Sequence, residues 1–235
     1  MKNYSVSLML ALILGGPSAV AADLTGRVVL KGPVPKEIEI KMTTDPRCAA
    51  LHTKPVFTRF YETAADGGLA DVLVYVKAGL PEREWPMPTE KLLLDQVDCE
   101  YIPYVAGVRA GQTIAIKNSD PTLHNVNATP KINKGFNFAQ PVKGMVTEKV
   151  FDLPEVPPIR FRCDVHPWMF AYVGVFDHPF FAVTDEKGNF KISGLPDGKY
   201  TLVAYHRRTH TTTEGITQEV TVDGDTKVEF VVELK

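Results

Sequence analysis

Beyond about residue 23 the apolar positions fall in short runs, bounded by Gly, Pro, Asn and Asp, and many alternate with polar positions. That rhythm belongs to half-buried strands rather than helices. Leu24 to Leu30 reads as a strand that Gly32-Pro33-Val34-Pro35 breaks. Leu69 to Val76 is β-branched and reads as a core strand, and Leu92-Leu93-Leu94 begins another that leads to Cys99. Tyr101 to Val105 and Gly107 to Ala110 are two short strands about a turn. Thr113 to Lys117 alternates and stops at the turn Asn118-Ser119-Asp120-Pro121. Thr147 to Phe151, Ile159 to Cys163 and Met169 to Phe176 follow as strands. Phe190 to Ser193, Lys199 to His206, Gln218 to Val222 and Lys227 to Leu234 close the chain. One helical turn is expected over Cys48 to His52. Pro81 to Pro88 reads as a loop holding Trp85, and 127–146 as a long polar loop pinned by Phe136 and Phe138. The pattern predicts an all-β protein with packed sheets.

The chain has 235 residues, 44% hydrophobic and 23% charged, with net charge −2, enough for one or two cores. The near-neutral balance gives no basic footprint for nucleic acid and no reason for membrane affinity. The amino-terminal residues read as an export signal. Lys2 supplies the positive region, Val6 to Gly16 an apolar stretch too short to span a bilayer, and Pro17 to Ala22 small residues for cleavage after Ala21 or Ala22. No Cys lies at that junction, so no lipid anchor is expected there. The predicted location is the periplasm, or outside the cell.

The densest chemistry lies in Phe161-Arg162-Cys163-Asp164-Val165-His166-Pro167-Trp168-Met169-Phe170. Cys, His and Met are spaced C-x2-H-x2-M, directly after a strand-like run. Thirty-nine residues before Cys163 stands His124, delivered by the Asn-Ser-Asp-Pro turn. Two imidazoles, one thiolate and one thioether form the donor set of a type 1 (blue) copper centre, with His2Cys in a plane and a weak axial Met. A trigonal thiolate plane suits both Cu(I) and Cu(II), so little rearranges when an electron moves. Met42 and Met145 lie outside the loop, which leaves Met169 as the axial candidate. Zinc could also enter a Cys/His set of this kind.

This stretch resembles the cupredoxins, and its loop, with Pro after the His, is amicyanin-like. The resemblance spans roughly 105–177 and includes Gly111 to Asn118, Pro121 and His124-Asn125-Val126. It implies a cupredoxin Greek-key β-sandwich with one copper per chain on His124, Cys163, His166 and Met169. Asn125 would be the residue tying the two ligand segments together. The edge of His166 would emerge through an apolar patch as the electron port, with Pro167, Trp168 and Phe170 around it. The partner implied is a redox protein that docks transiently and weakly.

Three cysteines are present; with Cys163 on the metal, Cys48 and Cys99 remain to pair in a disulfide, as an oxidising compartment allows. The pattern Asp185-x-x-Gly188-x-Phe190, then Gly194-Leu195-Pro196 and Gly198-x-Tyr200-Thr201-Leu202, resembles the carboxypeptidase-regulatory-like (transthyretin-like) β-sandwich. That resemblance names a fold and no chemistry. At about 55 residues it is short for a sandwich of its own. Leu24 to Leu30 resembles its missing first strand, so the copper domain is read as inserted. The expected division is a signal peptide over 1–22, a first strand of the second domain within 23–32, the copper domain over 33–178 and the second domain over 179–235. His52, His206 and His210 read as surface residues, and His178 as a junction residue.

The function expected is single-electron transfer without catalysis. Copper storage or delivery is the alternative. A copper enzyme would need a second centre built from H-x-H pairs, which six histidines in this arrangement do not provide. A binuclear centre would need a second Cys in the 163–169 loop, and there is none.

Overall fold

The computed structural model describes residues 21–208 and 215–234, so most of the expected signal segment, and His210, lie outside it. The strands are β1 (Ala21–Lys31), β2 (Leu73–Ala78), β3 (Leu92–Val97), β4 (Glu100–Ile102), β5 (Val105–Arg109), β6 (Thr113–Asn118), β7 (His124–Ala128) and β8 (Phe136–Gln140). They continue as β9 (Val146–Val150), β10 (Glu155–Arg162), β11 (Phe170–Phe176), β12 (Phe181–Val183), β13 (Asn189–Pro196), β14 (Gly198–Tyr205), β15 (Ile216–Val222) and β16 (Thr226–Glu233). A six-residue helix, α1 (Pro46–Leu51), follows a single 3-10 turn at Met42–Thr44. The all-β expectation holds, and so does the helical turn around Cys48.

The strands form two sandwiches. One joins the sheet β4-β3-β6-β9 to the sheet β5-β11-β10-β7-β8. Leu94, Ile114, Ile116, Phe161, Val173 and Val175 fill it and are buried. On β6 burial alternates strictly, with Ile114, Ile116 and Asn118 pointing inward, as a two-residue period requires. The other sandwich joins β13-β1-β16 to β12-β2-β14-β15, around Leu24, Val28, Ile192, Leu202, Phe230 and Val232. Strand β1 runs antiparallel to β13 and parallel to β16 and, among the described residues, pairs with no strand of the first sandwich. Leu73, Tyr75, Tyr104, Val105, Phe176 and Val203 pack where the two sandwiches meet. Gly107 sits at this seam; a Cβ there would lie 2.4 Å from the Phe181 ring, so only glycine allows the backbone so close.

Two stretches depart from the sequence reading. The run from Leu69 to Val76 divides at Asp71, whose φ of 58° turns the chain. Leu69 hydrogen-bonds to Val28 of β1, whereas β2 pairs with β12 and β14. The span 33–178 expected for the copper domain therefore contains β2, a strand of the other sandwich. The second departure is the expected loop 127–146. Its Phe136–Gln140 portion is strand β8, paired residue by residue with β7. Lys, Asn and Gly around it hide a short alternation in which Phe136, Phe138 and Gln140 share a face. Phe136 does pin the segment, stacking on Phe151 at 5.7 Å between ring centroids.

The hairpin tip is held by Glu155, which is buried and accepts backbone N–H groups from Lys131, Ile132 and Asn133 as well as the Asn133 amide. Burial works to raise its pKa, but these hydrogen bonds prevail and leave it below the usual value. Unfolding returns it to the ordinary range near ~4.3, so its stabilisation is fully present above that range and is lost as pH falls through the depressed folded value. Glu155→Gln is expected to cost about 1–3 kcal/mol at neutral pH. The gap from the unsubstituted protein should shrink when denaturant unfolding is repeated near pH ~3. A gap independent of pH would mean that the charge on Glu155 contributes nothing.

Candidate metal centre

His124 opens β7 and is placed by the turn before it. The buried Asn118 side chain donates to the carbonyls of Thr122 (2.9 Å) and Gln140 (2.8 Å) and accepts the Asp120 N–H (2.9 Å). Asp120 in turn receives the backbone N–H groups of Asp98 and Cys99, both at 2.8 Å. Asp98 and Cys99 form the two-residue turn between β3 and β4 and both have left-handed φ, 54° and 57°. Non-glycine residues hold that conformation at a cost of about 1–3 kcal/mol each, which the Asp120 carboxylate helps offset.

The second segment of the candidate site is the loop from Cys163 to Met169 between β10 and β11. It is closed on itself: Cys163 N–H donates to Met169 O (3.0 Å) and Met169 N–H to His166 O (2.9 Å). Asn125 makes contacts with both segments. Its N–H points at Cys163 Sγ (3.4 Å), and its side-chain oxygen accepts the Asp164 N–H (3.1 Å).

His124, Cys163 and His166 converge inside the sandwich, with one donor atom from each within 4.8 Å of the others. All three are buried. His124 Nδ1 and His166 Nδ1 are 3.1 Å apart, and Cys163 Sγ is 3.6 Å from His166 Nδ1. The opposite nitrogens face carboxylates: His124 Nε2 lies 2.8 Å from Asp120 Oδ2, and His166 Nε2 lies 3.0 Å from Asp45 Oδ2. An ionised carboxylate only accepts, so each Nε2 carries a proton, and whenever a ring is neutral its lone pair lies on Nδ1. Two Nδ1 atoms facing each other beside a sulfur, in a buried space, can share a cation, either a proton or a metal ion. Copper fits this donor set.

The electrostatics agree. Burial works to raise the Cys163 thiol, but hydrogen bonds from both histidines and from the N–H groups of Asn125 and His166 bring it down to about 6. For His124 and His166, burial works against the charged ring. The carboxylates and the sulfur outweigh it, and both are raised. Asp45 is held at about 2 despite its burial, by His166, the Arg47 N–H and Thr122.

Met169 is buried where β11 begins, its backbone tied to those of Cys163 and His166. Pro167 is exposed, while Trp168 and Phe170 are half-buried. Trp168 lies 5.2 Å from the His166 ring and donates from Nε1 to Cys99 O (3.2 Å).

The expectation of an emergent His166 edge is corrected: the residue is 1% exposed. Cys48 and Cys99 are joined in a disulfide, with 5.7 Å between their Cα atoms. Cys48 Sγ lies 3.5 Å from His166 Nε2, and Asp45, the N-cap of α1, covers the same nitrogen. Asp45 and Asp120 are the residues that sequence reasoning missed. Asp120 was findable, four residues before His124 in the turn that delivers it. Asp45 stands 121 residues before His166 and carries no local signal. Asp45 and Cys48 also cluster with His166, and Cys99 and Asp120 with His124. Those two sulfurs are spent on each other in the disulfide and offer no thiolate.

Among the remaining histidines, His52 is half-buried and its Nε2 meets Asp98 O at 2.7 Å. His206, expected at the surface, is 3% exposed and stacks on Tyr61. His178 is buried, and its Nδ1 accepts the Phe180 N–H.

No protein-family model matches the chain, and no curated protein matches it. Solved structures give partial likenesses. A purple cupredoxin from Nitrosopumilus maritimus aligns with a TM-score of 0.32 and 22% identity, covering 37% of this chain and 100% of that one. An amicyanin variant in its Cu(I) form aligns at 0.33 and 17% identity, covering 44% of this chain and 98% of that one. A copper-containing nitrite reductase from Thermus scotoductus aligns at 0.32 and 16% identity, covering 42% of this chain and 25% of that one. Likenesses at this level do not place the chain in a family.

Proposed function

We propose that this chain is an exported mononuclear type 1 copper protein that carries single electrons to or from a redox protein. The observation that carries the reading is the meeting of two Nδ1 lone pairs and the Cys163 sulfur in a buried space, with both Nε2 atoms held by carboxylates. Cys163, His124 and His166 would hold the metal, with Met169 as a weaker fourth donor. When bound, copper supplies a one-electron Cu(I)/Cu(II) couple. The chain holds the donors still. Two backbone N–H groups direct the thiolate, the closed loop and Asn125 fix the spacing, and burial keeps water out. The resemblance of the loop to the cupredoxins agrees with an electron carrier rather than an enzyme, acting in the periplasm or outside the cell. The second sandwich would then be a scaffold of the carboxypeptidase-regulatory-like kind.

Burial of His166 favours one second reading, copper storage or delivery, because a covered ring is a poor contact for a partner. The test is to load the protein with copper and record its visible and electron paramagnetic resonance spectra and its electron self-exchange rate. One copper per chain, an intense thiolate-to-copper band and rapid exchange are expected. Tight binding with slow exchange would favour storage. A weak spectrum would remove both the type 1 centre and the electron-carrier role.

A further inference from the structure

We propose that Asp45 is a positioning residue for His166, carried to the metal centre on the disulfide-anchored helix α1. The inference deepens the copper reading and rests on it only for the consequence on potential. Its basis is geometric. Asp45 Oδ2 lies 3.0 Å from His166 Nε2 and also accepts the Thr122 hydroxyl at 3.2 Å. Its other oxygen accepts the Arg47 N–H at 2.9 Å, as the N-cap of α1. Cys48, in the same helical turn, is bonded to Cys99, whose N–H is held by Asp120. The two carboxylates are thus linked through the disulfide, one behind each imidazole. The segment from Met42 to His52 does for His166 what the Asn118 to Pro121 turn does for His124.

The physical consequence has two parts. A carboxylate on Nε2 selects the tautomer that presents the Nδ1 lone pair and fixes the plane of the ring. Its negative charge also strengthens the ring as a donor and favours Cu(II) over Cu(I).

Two variants separate these parts. Asp45→Asn can still accept from Nε2 but has no charge. Asp45→Ser keeps a side chain that caps α1 but is too short to reach His166. The first readout needs no metal: the nitrogen-15 chemical shifts of the His166 ring in alkaline buffer, where the ring is neutral. The Nε2-protonated form should dominate in the unsubstituted protein and in Asp45→Asn, and give way to a mixture in Asp45→Ser. The second readout is the reduction potential after copper loading. In both variants the preference for Cu(II) over Cu(I) is expected to fall about tenfold, an upward shift of about 59 mV for one electron. Persistence of a single Nε2-protonated form in Asp45→Ser would overturn the proposal, as would unchanged potentials in both variants. If the unsubstituted protein gave no thiolate-to-copper band, the copper reading would fall, and the ring tautomers would still decide the role of Asp45.

Discussion

Replacing Cys163 with Ser is expected to abolish the intense thiolate-to-copper absorption and to weaken copper binding by at least about 100-fold. That bound is the upper range for losing a residue that only supports a ligand, and Cys163 would be a ligand itself. The reason lies in ionisation. Cys163 is brought down to about 6 by the groups facing it, which favours the thiolate that a metal needs. A serine hydroxyl in the same place stays protonated and gives neither the charge nor the sulfur orbital. His124 and His166 would still face each other and could hold copper weakly, with a pale spectrum and wide copper hyperfine splitting. Cys163 and Ser are close in size, so the fold should survive at a cost of about 1–2 kcal/mol. Circular dichroism and a chelator competition, run together, distinguish loss of the ligand from loss of the fold. An undiminished band in Cys163→Ser would remove Cys163 from the ligand set.

Removing the disulfide should produce the largest change in stability. Cys48 and Cys99 are 51 residues apart in sequence and are both fully buried. A bridge over a loop of this length stabilises by about 4 kcal/mol in the chain-entropy account. The double variant Cys48→Ala/Cys99→Ala is therefore expected to lose about 2–5 kcal/mol. For a domain of this size, at about 4 °C per kcal/mol, that lowers the melting temperature by roughly 8–20 °C. The effect should fall on the sandwich built from β3 to β11, because Cys99 lies in its β3–β4 turn and Cys48 packs into its core. The other sandwich has a separate core and should melt nearly as before. Calorimetry resolves the two transitions. A loss below about 1 kcal/mol would mean that the segment from Met42 to Leu51 holds its place without the bridge.

The two expected changes differ in what made them visible. C-x2-H-x2-M could be read directly, because the three side chains share one short loop whose chemistry is set by spacing. His124 was legible for a similar reason, since an Asn-Ser-Asp-Pro turn ends an alternating strand just before it. The pairing of Cys48 with Cys99 followed from counting once Cys163 was assigned to the metal. Most strands were also legible, because the two-residue period survives in each of them. Where it failed, the cause was local. Asp71 at positive φ divides one apolar run between two sheets, and polar neighbours obscure the alternation of Phe136, Phe138 and Gln140.

By itself, the sequence determined the all-β architecture, the two cores and the convergence of His124, Cys163 and His166, since these depend on residue type and short-range period. Only the tertiary structure decided which sandwich owns β2, that His166 is covered, and that Asp45 lies behind it. The physical reason is separation along the chain. The contact between Asp45 and His166 spans 121 residues and is set by where a disulfide anchors a six-residue helix. No local pattern of apolar and polar residues encodes a contact of that kind, because neither side chain changes the period of the segment that carries it.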